Sequence, residues 1–117
     1  MSFIDHDHLE VSQLNAGVTQ IELVGLEREG ENLTARIATI QPGNSVPLHI
    51  HPTHQELIFI LEGELEGTRE DHGVRTLRPG QSILAPTRKV HGLTNKTDSP
   101  AKVLAIFPTN YVTRDLV

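Results

Sequence analysis

Along this chain apolar and polar positions alternate in short runs and do not recur every three or four residues. Val18 to Val24 and Leu33 to Ile40 alternate or nearly alternate and are rich in β-branched side chains, which predicts strands. Glu27 to Asn32, between them, is polar and contains Gly30, as a hairpin connection requires. Gln41-Pro42-Gly43-Asn44 is a further turn and delivers a strand carrying His49 and His51. Leu57 to Leu61 is apolar at every position, so both of its faces must be covered. Glu56, Ile58 and Ile60 are expected to line an interior, and Leu57, Phe59 and Leu61 to meet a second sheet or another subunit. Asp71-His72-Gly73 and Arg78-Pro79-Gly80-Gln81 turn two hairpins. Ser82 to Ala85, Val90 to Asn95 and Ala101 to Phe107 supply the last strands. No repeat and no low-complexity segment interrupts this all-β pattern.

Composition narrows the class. A chain of 117 residues builds one core and is too short for two ordinary domains. With no Cys there are no disulfides and no thiolate ligands, which fits a reducing cytoplasm. Met1 to Asp5 lacks a basic start followed by an apolar run, so no secretory signal is expected, and no stretch approaches the roughly 20 apolar residues of a membrane span. A net charge of −5 argues against nucleic acid or an anionic membrane as the main partner. The carboxylate-rich stretch from Glu62 to Asp71 reads as a solvated hairpin.

The candidate chemistry sits between positions 43 and 95. His49 and His51 are two apart and project from one face of an extended strand. The short polar segment Pro52-Thr53-His54-Gln55 turns the chain and brings Glu56 back alongside. His91, in a second ordered run from Gly80 to Asn95, is the fourth candidate ligand. Three imidazole nitrogens and a carboxylate oxygen suit one divalent ion such as Fe, Mn, Ni, Zn or Co. Gln55 competes with Glu56 for the ligand position, but the two face opposite ways and the anionic one is the better ligand. His54 falls in the turn and is read as non-ligating.

These residues resemble the two signature motifs of the cupin superfamily. The first is Gly, five residues, His-x-His, three or four residues, Glu, six residues, Gly, and Gly43, His49, His51, Glu56 and Gly63 fill every fixed place. A shuffled chain of this composition would match it on the order of 2 times in 10,000, so accident is a poor account. The second is Gly, five residues, Pro-x-Gly, two residues, His, three residues, Asn. Gly80, Pro86, His91 and Asn95 match, while Arg88 stands where the family usually has Gly, which puts the turn geometry there in question. The resemblance implies a cupin double-stranded β-helix, a jelly-roll-like antiparallel β-barrel, over a single domain spanning 1–117. Within it, 1–17 forms an N-terminal segment or strand, 18–107 the barrel and 108–117 a C-terminal tail. It also implies a homodimer, since small cupins commonly pair through their sheets.

Further residues bear on function. Asn95 falls where the motif supports its turn and is read as structural. Arg36 points inward to hold an anionic substrate or lies outside, with the outside favoured. Tyr111 and Arg114 close over the barrel mouth or pack on its outer surface. Asp5-His6-Asp7-His8 is a frayed terminus or first strand able to trap metal adventitiously, and His72 is expected to be exposed in its turn. With three Phe, one Tyr and no Trp the chain offers few rings for stacking, which leans towards a small polar acid or sugar. The tail from Ile106 to Leu116 faintly resembles small pectin-degrading cupins, which use Gln where this chain has Glu56. The resemblance implies a metal-dependent enzyme of the dioxygenase, isomerase or lyase type, with Glu56 as ligand and proton acceptor. The alternatives are a module that binds a sugar or effector without turnover, and a metal-bearing scaffold. Within these residues no DNA-binding segment is expected.

Overall fold

Period-two burial organises the chain, which a computed structural model describes over residues 3–117. Met1 and Ser2, the start of the segment read as lacking a signal, lie outside the described residues. In the strand Ala101–Phe107 (β10), Ala101, Val103, Ala105 and Phe107 are buried and the residues between them are not. In Glu56–Glu62 (β5), Glu56, Ile58 and Ile60 are buried while Phe59 and Leu61 are 38% and 41% exposed. The doubly apolar run is therefore buried on its inner face, while its outer face is partly covered at Leu57 and exposed at Phe59 and Leu61. Of the two coverings expected on that face, a second sheet or another subunit, the described elements do not supply a sheet over Phe59 and Leu61.

The other strands, in chain order, are β1 (Ser12–Asn15), β2 (Val18–Val24), β3 (Thr34–Ile40), β4 (Ser45–Ile50), β6 (Leu65–Arg69), β7 (Gly73–Leu77), β8 (Ser82–Ala85), β9 (His91–Thr94) and β11 (Asp115–Leu116). A six-stranded sheet runs β1-β2-β3-β10-β5-β8 and a five-stranded sheet runs β11-β4-β9-β6-β7. Every pairing is antiparallel. The sheets form a jelly roll, but among the described residues no ladder joins them, so full barrel closure is not reached and β1, β8, β11 and β7 remain edges. Three of these edges have four residues or fewer, which limits what each exposes for pairing. Two strands lie outside the 18–107 span: β1 before it, and β11, which pairs with His49 and Ile50 on β4. The Asp5–His8 segment is neither frayed nor a strand; His6–His8 form a 3₁₀ turn capped by Asp5, whose carboxylate accepts from the Asp7 N–H at 3.1 Å.

The interior is filled at one end and open at the other. Val18, Ile40, Ile60, Leu65, Leu93 and Ala101 belong to one buried cluster. Moving along β10 from Ala101 to Phe107, the interior side chains pass from that cluster to a cavity lined by Arg36, Glu56 and Phe107. Gly63, after β5, takes φ +78, and a Cβ there would stand 2.8 Å from the Pro100 carbonyl oxygen. No other residue makes that turn so closely. Among the described residues no helix is long and apolar enough to cross a membrane.

Candidate metal centre

Three imidazoles come from one sheet and the carboxylate from the sheet facing it. His49 is on β4, His51 lies just past the end of β4, and His91 opens β9, with His49 and His91 paired across the ladder. Glu56 opens β5 after the turn at positions 51–55. All four are buried, at 4%, 3%, 1% and 6% exposure for His49, His51, His91 and Glu56. One ligand atom from each lies within 4.8 Å of those of the others, so the four can hold a single metal ion. His51 Nε2 is 2.9 Å and His91 Nε2 3.0 Å from the same Glu56 oxygen, Oε1, and His49 Nε2 is 3.3 Å from His51 Nε2.

The other ring nitrogens decide what these approaches mean. His49 Nδ1 faces the Pro47 carbonyl at 2.7 Å, His91 Nδ1 the Lys89 carbonyl at 2.9 Å and His51 Nδ1 the Thr113 carbonyl at 2.7 Å. A carbonyl oxygen only accepts, so each Nδ1 carries a proton, and each Nε2 is left facing the centre, where it can ligate once it carries no proton of its own. Lone pairs and a carboxylate oxygen this close repel unless a cation or an added proton lies between them. Burial pushes the His49 pKa down to about 4, which keeps that ring neutral and ready to ligate. Burial alone would push Glu56 up, but hydrogen bonds accepted from the His51 and His91 Nε2 atoms, when these carry the added proton, outweigh it and hold the carboxyl down at about 2; a cation in that place would likewise favour the carboxylate. Neutral N donors with one anionic O donor fit a borderline divalent ion.

The neighbours brace this arrangement. Gln55 is exposed while Glu56 is buried, as strand parity requires. His54 is buried but outside the cluster; it stacks on His51 with centroids 4.8 Å apart, and its Nε2 accepts from the Thr113 N–H at 3.2 Å. Phe107 meets the His51 ring edge-on at 5.3 Å. Asn95 is fully buried and donates to the Ile40 and Ser99 carbonyls at 2.9 and 2.8 Å, joining the end of β3 to the loop after β9. Arg88 adopts φ +63, the conformation that Gly favours, and its N–H donates to the His51 carbonyl at 2.9 Å. The turn before β9 is thus kept without the motif's Gly.

Arg36 corrects the sequence reading. It shares its parity with the buried Thr34, Ala38 and Ile40 and lines the cavity, so the outer placement is wrong. Its charge is met inside: Nε donates to Glu22 Oε1 at 3.2 Å and the guanidinium lies 5.6 Å from the Phe107 ring centre. Of the tail pair, Arg114 lines the cavity and Tyr111 is 70% exposed. His72 is exposed, beside Asp71. Phe107 and Thr113 were not singled out from the sequence. Alternation along β10 signals the first, whereas Thr113 acts through its backbone, which no side-chain pattern reveals.

Residues 36–107 match the Cupin domain family. The chain belongs to that family. Among curated relatives, this cupin is 37% identical over 70 residues to Germin-like protein subfamily 2 member 2 of Arabidopsis thaliana, covering 56% of this chain and 32% of that protein. It is 34% identical over 77 residues to dimethylsulfoniopropionate lyase DddQ of Ruegeria pomeroyi, covering 66% and 37%. The chain spans about a third of the length of these relatives. In fold it superposes on the polyketide cyclase RemF of Streptomyces resistomycificus with a TM-score of 0.86 at 18% identity, covering 100% of this chain and 85% of the other.

Proposed function

We propose that this cupin is a metal-dependent enzyme acting on a small polar or acidic organic substrate, at a mononuclear site held by His49, His51, Glu56 and His91. The observation that carries this reading is that the four ligand atoms converge on the wall of an open cavity of about 190 Å³. A purely structural site would be closed off by protein, whereas this one leaves room for a substrate beside the ligands. The lyase and cyclase names of two similar proteins support an enzyme over a scaffold. When bound, the ion supplies Lewis-acid polarisation of a substrate oxygen or a site for dioxygen. The three imidazoles, each oriented by a backbone carbonyl, hold their Nε2 atoms fixed. Glu56 would balance charge as a ligand and, on releasing the ion, would take a proton from the substrate. The apolar side chains around the cavity exclude bulk water and strengthen each charge interaction within it.

The test is metal content of tag-free protein by mass spectrometry, followed by product analysis with a panel of small carboxylic acids, with and without dioxygen. About one equivalent of metal and a metal-dependent product are expected. A protein that takes up none of the candidate ions on reconstitution sinks the reading. Metal with tight ligand binding and no product would replace it with the non-catalytic binding module.

A further inference from the structure

The cavity contains a cation that ligand chemistry at the metal centre leaves without a task. Arg114 follows Thr113, whose carbonyl accepts from His51 Nδ1 at 2.7 Å and whose N–H donates to His54 Nε2 at 3.2 Å. That clip fastens the segment to the site at two points, so the cavity receives Arg114 from an anchored backbone. Arg36, the other guanidinium there, already has Glu22 and the Phe107 ring. Arg114 has neither kind of partner among the described residues, and its Nη1 is fully buried without a hydrogen bond. An unanswered buried N–H is costly, and native structures rarely keep one unless a ligand answers it.

Charge points the same way. A divalent ion with Glu56 leaves one positive charge, Arg114 adds another, and the Arg36–Glu22 pair is neutral. Much of the remaining wall is apolar, including Leu14, Val46, Ile58, Val103 and Val112. A volume of about 190 Å³ is below the roughly 300–1,000 Å³ of pockets for drug-sized ligands. The geometry points to Arg114 as the anchoring residue for the carboxylate of a compact organic acid, with that acid's other oxygens turned to the four-ligand cluster. The second contact rests on the metal-site reading; the first does not. The planar guanidinium fork matches a carboxylate edge, which separates this ligand class from sugars and neutral amides.

Calorimetric titration of malonate, its neutral diamide and inorganic phosphate tests this, on metal-free and metal-loaded protein above the histidine titration range. The parent binds malonate in both states, the uncharged diamide at least about tenfold more weakly, and phosphate, which has no apolar part to meet the cavity wall, more weakly than malonate. Arg114→Gln lowers malonate affinity by about tenfold or more in both states, with metal content and circular dichroism unchanged, and Arg114→Lys recovers part of it. Should the Gln variant misfold, the Lys variant alone must show the partial loss. Malonate affinity unchanged in Arg114→Gln overturns the inference, as does tighter binding of phosphate or no malonate binding by the parent. Arg114-dependent binding by a protein that takes up no metal retires the metalloenzyme reading and leaves the anchor; metal uptake with Arg114-independent binding does the reverse.

Discussion

Two histidine-bearing regions of this cupin make opposite use of the same side chains. Asp5-His6-Asp7-His8 packs four potential ligands into four consecutive residues, a higher density than anywhere else in the chain. They form an exposed turn in which the Asp5 carboxylate serves as the cap and also lies 3.5 Å from His8 Nδ1. The cluster at His49, His51, Glu56 and His91 is scattered in sequence and nevertheless converges. The difference is orientation. Each clustered imidazole is held through Nδ1 by a backbone carbonyl, two of them by the residue two positions earlier, Pro47 for His49 and Lys89 for His91. Side chains held in this way have given up their rotamer freedom on folding, whereas those of the exposed turn must lose it when an ion arrives. Local density of ligand types is therefore a poor guide to a metal site, and convergence imposed by a scaffold is a good one.

Substitution should break the contrast cleanly. His49→Ala with His91→Ala is expected to reduce bound metal from about one equivalent to almost none, an affinity loss of 100-fold or more, because two of four donors are gone. His6→Ala with His8→Ala should leave content and affinity unchanged within about twofold. Mass spectrometry of metal content after dialysis reads both. Equal losses in the two double variants would mean that the terminal segment contributes to the site.

Removing the metal sharpens the same contrast through pH. The His49 pKa is lowered from 6.5 to about 4 in the folded protein, so folding favours the neutral ring. The stability this contributes is present above about pH 6.5 and is lost as pH falls towards about 4. Metal-free protein should therefore lose on the order of 1–3 kcal/mol across that interval, read from urea midpoints at several pH values. His49→Gln should flatten the slope, whereas His6→Ala with His8→Ala should retain it. An unchanged slope in His49→Gln would show that the proton is taken up elsewhere.

How much of this was legible in the sequence follows from which interactions are periodic. The strands, the inward set on β5 and the four clustered residues follow from alternation and from motif spacing. The facing of Arg36 is not legible because both parities of the run from Leu33 to Ile40 carry apolar residues. Here its strand neighbours Thr34, Ala38 and Ile40 set the facing, and Glu22 with Phe107 offsets the burial. The Thr113 clip is a main-chain contact across distant segments, and the exposure of Phe59 and Leu61 on the outer face of β5 depends on what else the chain provides. Neither can be read from residue types.

The smallest expected effect tests whether the scaffold behind the site depends on backbone shape or on side-chain identity. Arg88 holds φ +63 at the motif position where Gly is usual, its side chain is exposed, and its N–H supports the His51 carbonyl. A left-handed conformation costs a side-chain-bearing residue roughly 1–2 kcal/mol, which Gly escapes. The greater freedom of Gly in the unfolded chain takes back about 0.5–1 kcal/mol. Arg88→Gly should therefore raise stability by about 0.5–1 kcal/mol in denaturant unfolding and leave metal affinity unchanged, because the supporting N–H stays in place. Arg88→Val should do the opposite, since a β-branched residue tolerates positive φ least, and the strained turn would loosen both the His51 carbonyl and the approach to His91. If Arg88→Gly instead weakened metal binding, the Arg88 side chain itself would have to order the site, and backbone shape alone would no longer account for the turn.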